Sequence, residues 1–193
     1  DTGAKDSSPA TTAAAGSRDN TPVVLTGSAD GTVTYGNDSV TVDASHTEEG
    51  YLMVSYSGSN SKVKLQITGS DEITYTYNLH DGYETFPLTS GSGSYTVGVF
   101  ENIEGTSYST LFTQAIDVTI QDEFGPYLYA NQYVNFSADS KVISKAMELS
   151  ASANDDLEVI ENVYNYIITN FTYDYDKAAS VQSGYLPDVD DVL

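Results

Sequence analysis

Between residues 22 and 122 the chain is a succession of short segments in which apolar and polar side chains alternate, and this period of two constrains the fold more than any other feature. "TVTYGNDSVTVDA", "GYLMVSYSG", "KVKLQITG", "EITYTYNLHDGYETFPL", "GSYTVGVFEN" and "LFTQAIDVTIQD" follow in turn, each rich in Val, Ile, Thr and Tyr. Successive side chains of a strand point to opposite faces, so the alternation sorts each run onto two faces. In "KVKLQIT" the apolar set is Val63, Leu65 and Ile67, with Lys62, Lys64 and Gln66 toward water. "GYLMVSY" sorts Leu52 and Val54 onto one face and Tyr51, Met53 and Ser55 onto the other. Turn signals separate the runs: "YGND", "SGSN", "TGSD", "HDGY" and "SGSG". Asp81-Gly82 reads as the tight turn of a hairpin joining "YTYNL" to "YETFPL", because Gly accepts positive φ.

Six or seven strands at this spacing predict an antiparallel β-sandwich of about 100 residues, the immunoglobulin-like size class. Tyr95, just inside a late strand after a Gly/Ser turn, is a candidate tyrosine corner. The chain has no Cys and no Trp, so the intersheet disulfide and core Trp of antibody domains are absent. A fibronectin-type or other bacterial immunoglobulin-like module fits better.

After Gln121 the period changes. Gly125-Pro126 is a breaker pair and marks a domain boundary. "FSADSKVISKAMELSAS" reads as a helix capped by Ser137, with Val142, Ile143, Ala146 and Met147 on one face. "ASANDDLEVIENVYNYIITNF" is the strongest helix, with Asn154 as cap and Asp155 and Asp156 in the first turn, where the dipole favours them. Leu157, Ile160, Val163, Tyr164, Ile167 and Ile168 form an apolar stripe at helical spacing, and its central residues are expected to be buried. The organisation is therefore mainly β with an α-helical C-terminal segment: a tether over 1–21, the sandwich over 22–122 and a helical segment over 123–193. A segment as short as the last buries too little surface alone, so it packs on the sandwich or belongs to a larger domain.

Charge limits the partners. With 28 acidic against 7 basic side chains the net charge is −21, which repels phosphate backbones and anionic membrane surfaces. No apolar run approaches the ~20 residues of a membrane span. The small, polar "DTGAKDSSPATTAAAGSRDNT" cannot bury enough apolar surface to order itself, so it reads as a tether. The chain begins at Asp1, the expectation for a processed or trimmed form.

The chemistry-bearing residues are sparse. Without Cys there is no thiol nucleophile and no thiolate ligand. His46 in "SHTEEG" and His80 in "LHDG" read as solvent-exposed turn residues. No Ser lies in a Gly-x-Ser-x-Gly elbow. Asp174/Asp176 and Asp188/Asp190/Asp191 have a spacing that can hold calcium, but neither run has the turn Gly and closing Glu of an EF-hand loop. The residues thus assign no catalytic, cofactor or metal site. Tyr75, Tyr77, Tyr83 and Tyr95 fall in strands, where rings pack on the pleat; exposed, they would make a sugar- or peptide-stacking surface.

"VIENVYNYIITNFTYDYDKA" followed by "SGYLPDVDDVL" resembles the opening of the transglutaminase-like domain of secreted bacterial proteins, over roughly residues 135–193. The resemblance implies a papain-type cysteine nucleophile on a following helix, with a His and an Asp on later strands, all beyond Leu193. It implies a cell-surface, lipid-anchored protein acting on protein or peptide amides, with partners among proteins, peptides or cell-wall components. Pro187 suits a first helical turn, and the aspartates after it suit the positive end of a helix. The alternative from the residues alone is a non-enzymatic binding module on an immunoglobulin-like sandwich.

Overall fold

The computed structural model describes residues 16–193. Residues 1–15 of the expected tether lie outside the described residues. The described chain forms two compact units: residues 24–140 with 181–193, and residues 16–23 with 141–180.

The first unit holds the strands the alternation predicts. They are β1 (Thr34–Gly36), β2 (Val40–Asp43), β3 (Tyr51–Tyr56), β4 (Val63–Thr68), β5 (Thr74–Leu79), β6 (Gly82–Pro87), β7 (Gly93–Glu104) and β8 (Ser107–Val118). They make two four-stranded antiparallel sheets, ordered β1-β2-β3-β6 and β5-β4-β7-β8. Val63, Leu65 and Ile67 are buried, as their alternation requires. Leu52, Val54 and Phe86 of one sheet and Leu65, Val97 and Val99 of the other belong to one apolar cluster. Each fully buried aliphatic contributes roughly 1.5–3 kcal/mol.

Two sequence expectations need correction here. Gly82 does take positive φ, at 84°, but Asp81-Gly82 closes no hairpin. β5 pairs with β4 and β6 pairs with β3, so the chain passes here from one sheet to the other. A tight turn fixes the local reversal only; which edge the next strand joins depends on where its apolar set finds a face.

The outer face of β3 is also covered. Tyr51 and Met53, on the opposite face from Leu52 and Val54, are buried as well. The segment around Leu25 bridges in parallel to Tyr129, the Ala130 amide donates to the Leu25 carbonyl at 3.0 Å, and the Tyr129 ring lies 4.5 Å from that of Tyr51. Gly125 and Pro126 are buried in a 3-10 turn of this cover. Gly50, at φ 92°, lets Pro126 approach so closely that a Cβ there would sit 2.5 Å from the proline Cδ. The breaker pair therefore lies inside the sheet unit, and the switch to helix comes at Lys141.

The second unit contains α1 (Lys141–Ser150), α2 (Asp156–Asn170) and α3 (Tyr175–Ser180). The Ser137 hydroxyl accepts from the Asp139 amide at 3.3 Å, and α1 begins four residues on, at Lys141. The α2 cap is Asp155, one residue later than expected, accepting from the Glu158 amide at 2.9 Å. Glu158 reaches back to the Asn154 amide at 2.8 Å, a capping box displaced by one position. Asn154 is thereby free to accept from the Ser17 amide at 3.1 Å, and Arg18 pairs with Asp156 at 2.7 Å.

The apolar stripe of α2 is divided. Val159 and Val163 are half-buried and Asn162 donates to the Leu149 carbonyl at 2.9 Å, so this ridge faces α1. Ile160 is 63 % exposed, and Leu157, Tyr164, Ile167 and Ile168 are exposed beside it, contrary to the expectation of burial. One short partner helix covers only a narrow arc of a stripe this wide.

Candidate functional site

The β2–β3 turn, expected to expose His46, instead builds a network around it. The His46 side chain is 20 % exposed. Its Nδ1 lies 2.9 Å from Glu49 Oε2, and its Nε2 lies 3.0 Å from Asp30 Oδ2 and 3.2 Å from Ser28 Oγ. The ring stacks on Tyr51 at 5.3 Å and 9°. Ser28, His46 and Glu49 stand in the order of a serine–histidine–acid relay. Chemistry argues against that role. Both ring nitrogens already have a carboxylate neighbour, Glu49 at Nδ1 and Asp30 at Nε2, so Nε2 is shared and not reserved for the Ser28 hydroxyl. The Ser28 amide already donates to the Tyr51 hydroxyl at 3.3 Å and is not free for an oxyanion. The network pins the turn. Asp43 supports it, accepting from the Gly31 amide at 2.6 Å and the Ser45 amide at 2.9 Å. Desolvation pushes the Asp43 carboxyl up, but the bonds from Ser45 and Gly31 outweigh it and hold the group below the usual carboxylate range.

His80 is more open, with Nδ1 3.1 Å from Glu84 Oε1. The aspartate runs serve as caps. Asp174 accepts from the Lys177 amide at 2.8 Å at the start of α3, and Asp188 accepts from the Asp190 amide at 2.9 Å in a 3-10 turn over Val189–Val192. Among the described residues no three His, Asp or Glu side chains converge to hold a metal ion, and no helix is long and apolar enough to cross a membrane.

The strand tyrosines separate by place. Tyr95 is buried and its hydroxyl lies 3.0 Å from the Leu88 carbonyl and 2.8 Å from that of Gly91. Tyr77 is also buried, and burial pushes its hydroxyl up to about 12. Tyr75 and Tyr83 are exposed. Tyr75 and Tyr77 of β5, Pro87 and Thr89 at the end of β6, and Tyr127 and Tyr133 line a depression of about 430 Å³. The Tyr77 and Tyr133 ring centres are 6.1 Å apart. The depression is uncharged, aromatic and concave, and rings in this setting can stack on an apolar or hydroxyl-bearing group. The sequence reading reached Tyr75 and Tyr77 but not Tyr127 and Tyr133; the signal for those was the ring spacing in "PYLYANQY".

Compared with known proteins, the chain matches no family model, no curated protein and no solved structure.

Proposed function

We propose that the chain is the non-catalytic N-terminal portion of a cell-surface transglutaminase-like cysteine hydrolase or acyltransferase acting on protein or peptide amides, with its nucleophile outside these residues. The observation that carries the reading is the run from α2 to Val192. The helix that carries "VYNYI" keeps an exposed apolar stripe, and the chain runs on through a short helix to an Asp188-capped turn over the closing "DVDDVL". Exposed apolar faces of this kind are normally covered by further structure. The two sheets are read as an immunoglobulin-like sandwich. Supporting this are the crossing of β5 and β6 to opposite sheets, the core common to both, and the Tyr95 hydroxyl bonded back to Leu88 at the start of β7. An extracellular, lipid-anchored location belongs to the same reading, supported by the small, polar composition of residues 1–21. The test is a thiol-reactive probe applied to this chain and to the full-length native protein. Labelling at one cysteine of the longer protein, lost when a downstream His is replaced, is the expected result. A native protein without any cysteine would sink the enzyme reading.

A second reading, a non-enzymatic binding module, is favoured by the tyrosine-lined depression. A loss of ligand capture on Tyr133→Ala, with folding intact, is the result this reading expects.

A further inference from the structure

The edge of β5 differs from the other sheet edges. β1 is three residues long, β6 carries Glu84 and ends in Pro87, and β8 carries Asp117 and pairs with β7 through two register irregularities. These are the usual devices that keep an edge from pairing with another chain. β5 reads Thr-Tyr-Thr-Tyr-Asn-Leu, with no charge, no Pro and an unbroken register against β4.

Which of its backbone groups are open follows from the turn before it. The Gly69 amide donates to the Ile73 carbonyl at 3.1 Å, making Gly69 and Ile73 a bonded pair. Bonded and non-bonded pairs alternate along an antiparallel ladder. Tyr75, Tyr77 and Leu79 are therefore tied to β4, while Thr74, Thr76 and Asn78 turn their amides and carbonyls to the open side. Asn78 agrees independently: its carbonyl accepts from Gln132 Nε2 at 2.7 Å. Gln132 closes that end of the edge; among the described residues nothing closes the rest, so Thr74 and Thr76 remain as a template of donors and acceptors.

The tyrosine-lined depression adjoins this template. Tyr75 and Tyr77 form one wall, and Thr76 also borders it. A strand laid along β5 would send alternate side chains into the space between β5 and the end of β6, which is where the depression lies. Acidic residues flank the template: Asp71 and Glu72 precede β5, and Asp81 and Glu84 follow it. With a net charge of −21 on the chain, a second copy is repelled and a cationic segment is attracted.

We propose that the β5 edge and its tyrosine-lined depression take an extended, basic-flanked peptide segment of a partner protein as an added strand, with an aliphatic side chain of the guest seated among Tyr75, Tyr77 and Tyr133. This rests on the binding-module reading and names its partner. The guest's backbone supplies affinity through Thr74 and Thr76, and the depression selects the side chain.

The probe is a synthetic peptide, Lys-Lys-Val-Thr-Val-Thr-Val-Thr-Val-Lys-Lys, titrated into the full chain by calorimetry and amide NMR. Saturable binding is expected, with shifts centred on Thr74–Tyr77. N-methylating one alternate set of probe residues should weaken binding at least about tenfold and the other set far less, because only one set faces the edge. This contrast uses the unaltered protein, so it stands even if a variant misfolds. Thr76→Pro, at an outward amide where Pro is tolerated, should weaken binding by a similar factor. Equal effects of the two N-methyl series, or no saturation by about 1 mM, would overturn the proposal. So would sedimentation showing that the chain dimerises through this edge. If neutral cellohexaose saturates the depression and the peptide does not, the peptide assignment falls while the binding-module reading stands; if neither binds, both fall.

Discussion

Replacing Tyr95 with Phe isolates one hydroxyl in the sheet unit. The ring stays, so packing around a side chain that is 1 % exposed is preserved. What goes is the donor that reaches Leu88 at 3.0 Å and Gly91 at 2.8 Å. Leu88 is itself fully buried, so water does not readily replace the lost partner. An unsatisfied buried carbonyl costs about 1–3 kcal/mol. At about 4 °C per kcal/mol for a domain of this size, Tm should fall by roughly 4–12 °C. Thermal unfolding followed by near-UV circular dichroism measures it, with Tyr75→Phe as the exposed control, expected within about 0.5 kcal/mol of the parent. If Tyr95→Phe melts within about 1 °C of the parent while Tyr75→Phe does the same, the hydroxyl braces nothing and the tyrosine-corner argument fails.

Leu65→Ala, at a side chain with no exposed surface, should cost about 2–5 kcal/mol, whereas Ile160→Ala on the open stripe of α2 should cost less than about 0.5 kcal/mol; urea titrations compare them directly. Gly50→Ala should destabilise by about 1–3 kcal/mol or more, because the site has φ 92° and the Pro126 ring fills the space a Cβ would need; soluble yield and Tm report it. Alkaline pH should unfold the sheet unit in part through Tyr77. Its folded-state value, about 12, lies above its ordinary value of 10, so its contribution is fully present below pH 10 and is lost as pH rises toward 12. The loss is about 3 kcal/mol, and Tyr77→Phe should flatten the denaturation midpoint across that window.

The strands were legible because alternation is a local property: Val63, Leu65 and Ile67 have a period of two whichever strands flank them. Pairing was not, and Asp81-Gly82 shows why. The dipeptide encodes a reversal, while the partner of β6 is β3, far back in the chain. The cover over the outer face of β3 was not legible for a related reason. Tyr51 and Met53 alternate as a wet face should, but a non-repetitive segment around Gly125–Ala130 covers them, and such cover has no period to detect. His46 followed the same pattern, since Ser28 and Asp30 come from outside its own turn. On α2 the stripe itself was visible and its fate was not, because a sequence gives the width of an apolar face but not the width of what lies against it. Of the tyrosine-lined depression, the half carried by β5 was within reach of strand periodicity; the half carried by Tyr127 and Tyr133 was not.

The crossing between sheets bears on how the chain reaches this state. Leu52 meets Phe86 and Leu65 meets Val99, each across roughly thirty residues whose closure entropy must be met before the contact returns anything. Neither sheet is contiguous in sequence, so a nascent chain that has emerged as far as β5 can complete neither of them. Search over such non-local pairings places folding in the millisecond-to-second range, slower than for helical chains of similar stability. In synthesis the uncharged β5 strand emerges before β6, the strand that completes the opposite sheet. An uncharged edge strand is thus available before its molecule is complete, and a net charge of −21 opposes the approach of other copies in that time.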